Sequence, residues 1–343
     1  MKIVYSYIPH NYVKGEIRTV PKISAYCCML SVLQARKFYD KVELYTNESQ
    51  AKFFKRLGIP FTRIDTEVLK DETANCPSIP KIKTYAAQTE PFIHLDLDTI
   101  LFRPVPIPKN RPLIFAHNDF GGGTDFGSFN ATHISYTGPL AQARKEGRVK
   151  ESYIRNYDQK EIPNMNTVVV NDYELFAKAS LNALDSYYKI KDILDEDYMR
   201  FCLPEQGFVH LELLELSDIY HGMVAANQHV YSRKNFSHLD IDKTVDGDGF
   251  PRRVESNTHY YDEIIFDTAE DILKVDDYNF GGILHLIGSI KQDIYIRMLL
   301  IHLIVTKHGL SYAINVSKSF GATLDESEQL YEKLTNIKFN NLL

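Results

Sequence analysis

The chain has 343 residues, 44% hydrophobic and 24% charged, a globular composition that excludes a disordered or fibrous protein. A formal net charge of −6 argues against a dominant surface for a nucleic-acid backbone, though it leaves room for a local basic groove. Cys27, Cys28, Cys76 and Cys202 form no CxxC pair and no regular framework, as expected of reduced thiols in a cytoplasmic protein.

The opening MKIVYSYIPH has neither a long apolar core nor a small-residue cleavage site, so no signal peptide is expected. Its residues 2–8, β-branched and aromatic, predict a first strand. Ser24 to Tyr39 has helical apolar spacing, and Lys41 to Thr46 reads as a strand. Asn47-Glu-Ser49 is a capping cluster for a helix over 50–57, which Gly58 stops. A strand at Phe61–Ile64 and a helix over 81–88 then lead to Phe92-Ile-His-Leu95, a strand running into Asp96 and Asp98. Further strands are expected at 112–116 and 167–170, with a helix over 173–188. Residues 218–280 are irregular, and a strand at 283–287 and a helix over 292–307 restore the pattern. The longest apolar run, Ile294 to Val305, is broken by Arg297 and His302 and is too short to span a bilayer. Alternating helices and strands predict an α/β sheet with helices on both faces, which binds ligands at the carboxyl ends of its strands.

Asp-x-Asp occurs at 96/98, 195/197, 240/242 and 246/248. Asp195–Asp197 lies in a charged run and reads as a solvated face. Asp246-Gly-Asp-Gly249 lacks the later acidic residue of a calcium loop and reads as a turn. Asp96 and Asp98 alone sit between two apolar runs. Carboxylates there require a partner, because burying them unpaired costs several kcal/mol; the candidates are a metal ion, an arginine such as Arg103, water or a reacting phosphate.

Lys81 to Pro104, KIKTYAAQTEPFIHLDLDTILFRP, resembles the central block of GT-A glycosyltransferases, in which a helix with a basic residue leads into the strand bearing Asp-x-Asp. His285-Leu-Ile-Gly288-Ser-Ile-Lys291 resembles the H-x-x-G-x-x-K block of glycosyltransferase family eight, the group of glycogenin and the bacterial lipopolysaccharide galactosyltransferases. Pro163-Asn164-Met-Asn166 resembles that family's asparagine-bearing turn, with Asn166 where the family has glycine. Pro204-Glu205-Gln206 resembles its acidic-Gln pair. Gln292-Asp293 replaces the family's Pro-Trp, and either Lys81 or Lys83 fills the position of the basic residue.

The resemblance implies a GT-A type fold, Rossmann-like with a mixed, mostly parallel sheet, forming a catalytic domain over 1–300 and followed by a C-terminal helical extension over 301–343. It implies transfer of a sugar from a UDP-sugar to an acceptor hydroxyl, with retention of configuration. Asp96, Asp98 and His285 would hold Mn²⁺ or Mg²⁺, with Asp96 bridging to the donor ribose. Gly288 would let the backbone approach the diphosphate, and Lys291 and Lys83 would contact phosphate or sugar. Asn164, Glu205 and Gln206 would surround the reacting carbon, and Tyr5 or Tyr7 would lie against the nucleoside. The acceptor, a saccharide or lipid-linked saccharide, would dock against 121–130 and 218–280.

Read singly, these residues have ordinary roles: a core histidine, a solvated lysine, a capping glutamine, core tyrosines. Two other functions are open. Haloacid-dehalogenase-type phosphatases also end a strand in Asp-x-Asp, but Ile100 stands where their threonine belongs. A non-catalytic nucleotide-sugar-binding protein would keep the same residues without turnover.

Overall fold

The computed structural model describes residues 1–9, 21–72, 76, 78–105, 107, 112–120, 142–143, 145–150, 161–193, 203–216, 227–232, 263–266, 268–276, 280, 282–286, 291, 293–321 and 323–339. The three other Asp-x-Asp triplets, the 121–130 loop and Gly288 lie outside them.

Strands β1 (Lys2–Ser6), β2 (Val42–Tyr45), β3 (Arg63–Asp65), β4 (Phe92–Leu95), β6 (Leu113–Phe120) and β7 (Glu161–Val170) form one sheet in the order β3-β2-β1-β4-β7-β6. Pairing is parallel from β3 to β4, and β7 runs antiparallel to both its neighbours. Helices cover both faces, so these strands are apolar on both sides. Period-two alternation divides their side chains between two cores. Ile3, Tyr5, Ile93, Leu95 and Val169 point to one, built with α1 (Lys22–Phe38), α2 (Glu48–Leu57), α7 (Ile294–His308) and α8 (Leu310–Ser319). Val4, Phe92, Val168 and Val170 point to the other, built with α3 (Ser78–Ala86), α4 (Tyr173–Ile190) and α5 (His210–Leu216). The expected architecture is present: a mixed, mostly parallel α/β sheet covered on both faces, with helices at the C-terminal end.

The Asn47 carboxamide caps α2 by accepting from the Gln50 N–H at 3.0 Å, and Gly58 closes it at φ +71°. The expected domain boundary at residue 300 falls inside α7, which packs on α1, α8 and α9 (Glu326–Thr335). Glu328 of α9, fully buried, accepts from the Tyr26 hydroxyl and from the Lys22 ammonium, each at 2.6 Å, and so fastens the C-terminal end to α1.

Part of the irregular region is ordered as strand and helix. β8 (Asn227–Ser232), β9 (Glu263–Phe266), β5 (Thr99–Leu101) and β10 (Ile283–His285) make a second sheet in the order β5-β10-β8-β9, and α6 (Ala269–Ile272) packs against α7. The chain leaves the first sheet at Leu95 and enters the second at Thr99. Asp96 and Asp98 occupy the crossing.

Candidate functional site

The crossing is fixed by backbone hydrogen bonds. The Asp96 N–H donates to the Asn166 carbonyl on β7 at 2.9 Å, and the Thr99 N–H donates back to the Asp96 carbonyl at 2.9 Å, closing a turn. β5 then pairs antiparallel with β10, with His285 opposite Thr99, and the Leu286 N–H donates to the Asp98 carbonyl at 3.1 Å. A residue 187 positions later in the chain is thereby set beside Asp98. One ligand atom from each of Asp96, Asp98 and His285 lies within 4.8 Å of the other two. His285 Nε2 faces Asp98 Oδ1 at 3.5 Å.

Two lysines attend the carboxylates. Lys81 Nζ lies 2.6 Å from Asp96 Oδ1 and 3.4 Å from Glu205 Oε2, and Lys291 contacts Asp98 directly. The side chains of Asp96, Asp98, Lys81 and Lys291 are each about a fifth exposed, so solvent reaches the charged cluster. Burial works against the Asp98 charge, but Lys291 and His285 outweigh it and hold Asp98 below the usual carboxylate range. Burial and the neighbouring Asp98 push Asp96 upward despite Lys81. Burial would lower Lys81, but Asp96 and Glu205 more than reverse this and keep it protonated.

Glu205 and Gln206 lie buried on a π-helical turn, Leu203–Val209, that leads into α5; such wide turns frequently mark functional positions. The Tyr85 hydroxyl donates to Glu205 Oε1 at 2.6 Å and lies 3.4 Å from His94 Nδ1, while His94 Nε2 is 3.0 Å from Ser6 Oγ. Burial pushes Glu205 up to about 7 against the pull of Lys81. Burial, reinforced by Lys81, holds His94 well below its ordinary value.

Lys81, one of the two eligible lysines, reaches the acidic pair. Lys83 points elsewhere and pairs with Glu72. Lys291, expected to contact the donor's phosphates, contacts Asp98 in the cluster. Tyr5 is fully buried, donates or accepts at Ser31 Oγ at 2.8 Å and packs edge-on against Phe61. It is a core residue with no face for a nucleoside, which corrects the expectation for that position. Tyr7 is partly exposed, with one edge on Phe54. Asn164 Oδ1 accepts the Asn166 N–H at 2.9 Å, beside the turn that carries Asp96. Asn166 carries more of the site than the sequence indicated. Its carbonyl holds Asp96, and its carboxamide lies 2.6 Å from His285 Nδ1. The only hint in the sequence was an amide where the resembling family has glycine.

The donor set fits a hard divalent cation: two carboxylates and one imidazole, three ligand atoms where such an ion takes six or more. Imidazole favours Mn²⁺ over Mg²⁺.

A profile described as a family of unknown function (DUF6734) matches residues 1–127. No curated protein matches significantly. Among solved structures, the galactosyltransferase LgtC in complex with donor and acceptor sugar analogues is 13% identical at a TM-score of 0.39, covering 96% of this chain and 100% of its own. An active-site mutant of LgtC is 14% identical at 0.40, with 96% and 99% covered. The WbbM bifunctional glycosyltransferase is 10% identical at 0.42, with 92% of this chain and 49% of WbbM covered.

Proposed function

We propose that this chain is a metal-dependent glycosyltransferase that moves a sugar from a UDP-sugar to an acceptor hydroxyl with retention of configuration. The observation that carries the reading is the convergence of Asp96, Asp98 and His285 within 4.8 Å at the junction of two sheets. A structural ion pair at a strand end would need one cation. Here three ligand-type side chains from two segments far apart in the chain meet, and two ammonium groups stand beside them.

Asp96, Asp98 and His285 would hold Mn²⁺, or Mg²⁺, which as a Lewis acid supports the diphosphate as it leaves the anomeric carbon. Lys81 and Lys291 bring positive charge to the same place and remain protonated at neutral pH, so they suit the non-bridging phosphate oxygens. Glu205, tied to Lys81 and Tyr85, is positioned to balance positive charge developing on the sugar ring, and Gln206 lies next to it on the same turn. In the retaining route the leaving phosphate oxygen takes the acceptor hydroxyl's proton, so no strong protein base is needed. The acceptor, a saccharide or lipid-linked saccharide, would approach from the second sheet. No helix among the described residues is long and apolar enough to cross a membrane.

Titration calorimetry with UDP, with and without Mn²⁺, followed by a donor hydrolysis assay, tests this. Mn²⁺-dependent UDP binding with turnover is expected. Binding without turnover would reduce the chain to a nucleotide-sugar-binding protein. Phosphatase activity without UDP binding would put it in another class of enzyme.

A further inference from the structure

We propose that Asn166 is a positioning residue that selects the metal-binding tautomer of His285, an inference that rests on the metal site proposed above. Asn166 is 2% exposed and is braced on both sides of its peptide unit. Its N–H donates to Asn164 Oδ1 and its carbonyl accepts from Asp96, each at 2.9 Å. The side chain of a residue so held reaches His285 Nδ1 at 2.6 Å. One residue therefore sets the start of the acidic turn through its backbone and the imidazole through its carboxamide.

A carboxamide offers an acceptor on one side and a donor on the other, and a half-turn exchanges them without altering shape. With Nδ2 against His285 Nδ1, the ring proton is forced onto Nε2. It then points at Asp98, and Asn166 Oδ1 is left buried without a hydrogen-bond partner among the described residues. Such an orphaned acceptor is destabilising, because it has lost water and gained nothing in return. With Oδ1 against the ring, Nδ1 carries the proton and donates it, which directs the Nε2 lone pair at the gap shared with Asp98 and Asp96. A ligating histidine requires this second arrangement, and its orientation is ordinarily set by a hydrogen bond at the other ring nitrogen. With a cation in place, the Asn166 amide would present Oδ1 to the ring and hold the imidazole with its proton on Nδ1. Without the carboxamide, His285 is free to keep its proton on Nε2 and donate it to Asp98.

The test uses the full chain, electron paramagnetic resonance of free Mn²⁺ at saturating UDP, and thermal melting without metal. Asn166→Leu, similar in size and unable to hydrogen-bond, is expected to weaken Mn²⁺ binding about 10- to 100-fold. Asn166→Asp, an acceptor only, is expected to restore binding to near the wild-type level, which a packing role would not do. Long-range ¹H–¹⁵N spectra of the wild type with Mg²⁺ and UDP are expected to show the His285 proton on Nδ1. This measurement holds even if a variant fails to fold. Wild-type Mn²⁺ affinity in Asn166→Leu, or the proton on Nε2 in the Mg²⁺ complex, overturns the role of Asn166 alone. Absence of Mn²⁺ binding by the wild type overturns the metal site itself, and the two failures are distinguishable.

Discussion

Replacing Glu205 by glutamine should make the protein more stable above neutral pH and less active. Glu205 is 4% exposed, and burial carries its carboxyl from an ordinary 4.5 to about 7 even with Lys81 at 3.4 Å. At about 1.4 kcal/mol per pH unit, keeping it ionised in the folded state costs about 3 kcal/mol. The sign follows from proton counting. Between pH 4.5 and 7 the folded chain holds a proton here that the unfolded chain has released, so the wild type loses stability as pH rises through that window. Gln206 and the rest of the π-helical turn are untouched, and glutamine still accepts from the Tyr85 hydroxyl. It forfeits only the charge contact with Lys81, which keeps Asp96. Allowing for that loss, Glu205→Gln should match the wild type near pH 4.5 and exceed it by about 2 kcal/mol at pH 8. Urea unfolding of both proteins at pH 5, 6, 7 and 8 measures this, with donor turnover followed in parallel. Stability gained where activity is lost marks a buried charge kept for function. A difference that is constant across pH, or a variant less stable at pH 8, would refute the reasoning.

His94 is held neutral inside the fold, whereas in the unfolded chain it gains a proton below its ordinary 6.5. Its contribution is therefore present above pH 6.5 and is lost as pH falls, at up to about 1.4 kcal/mol per unit. His94→Gln should flatten the acid limb of the stability profile by one proton's slope, and an unaltered slope would contradict its neutral burial. Glu328→Ala removes the short contacts of the Tyr26 hydroxyl and the Lys22 ammonium at the α1–α9 contact, leaving Tyr26 the Ala313 carbonyl at 3.4 Å and Lys22 the Asp325 carboxylate at 3.9 Å. It should cost about 3 kcal/mol in chemical denaturation while leaving Mn²⁺ binding as it was; a loss under 1 kcal/mol would remove the clamp. Asp98→Ala should lower Mn²⁺-dependent UDP affinity by more than about 100-fold, read by calorimetry. Because Lys291 is partly exposed and can turn to solvent, melting should change little.

Locally coded features were legible in the sequence. The Asn47 cap, the Gly58 stop, the apolar strands β1 and β4 and the helices α1, α4 and α7 follow from spacing and caps, because each is decided within a few residues. β5, β8 and β9 were not legible. Their runs of three to six residues are too short to show a period, and they are strands only because the second sheet pairs β5 with β10, which begins 182 residues after β5 ends, and β8 with β10 and β9. The site was readable as far as its resemblance reached. Asp96, Asp98 and His285 do converge, since the antiparallel pairing of β5 with β10 brings them to one junction. Choosing Lys81 over Lys83 needed the helix in place, because two residues of helical rotation separate a lysine facing Asp96 from one facing Glu72. Tyr5 failed as a nucleoside contact because period-two alternation in β1 turns it into the α1 core. Asn166 was hidden because its partner His285 is 119 residues away.

One cation site shared by Asp96, Asp98 and His285 underlies the whole of the proposed chemistry. Crystals grown with MnCl₂ and UDP, with anomalous data collected at the manganese edge, address it directly. A single strong peak is expected within coordination distance of all three side chains, with diphosphate oxygens completing the shell. Bound UDP with no manganese between Asp98 and His285, or manganese held elsewhere on the protein, would contradict it.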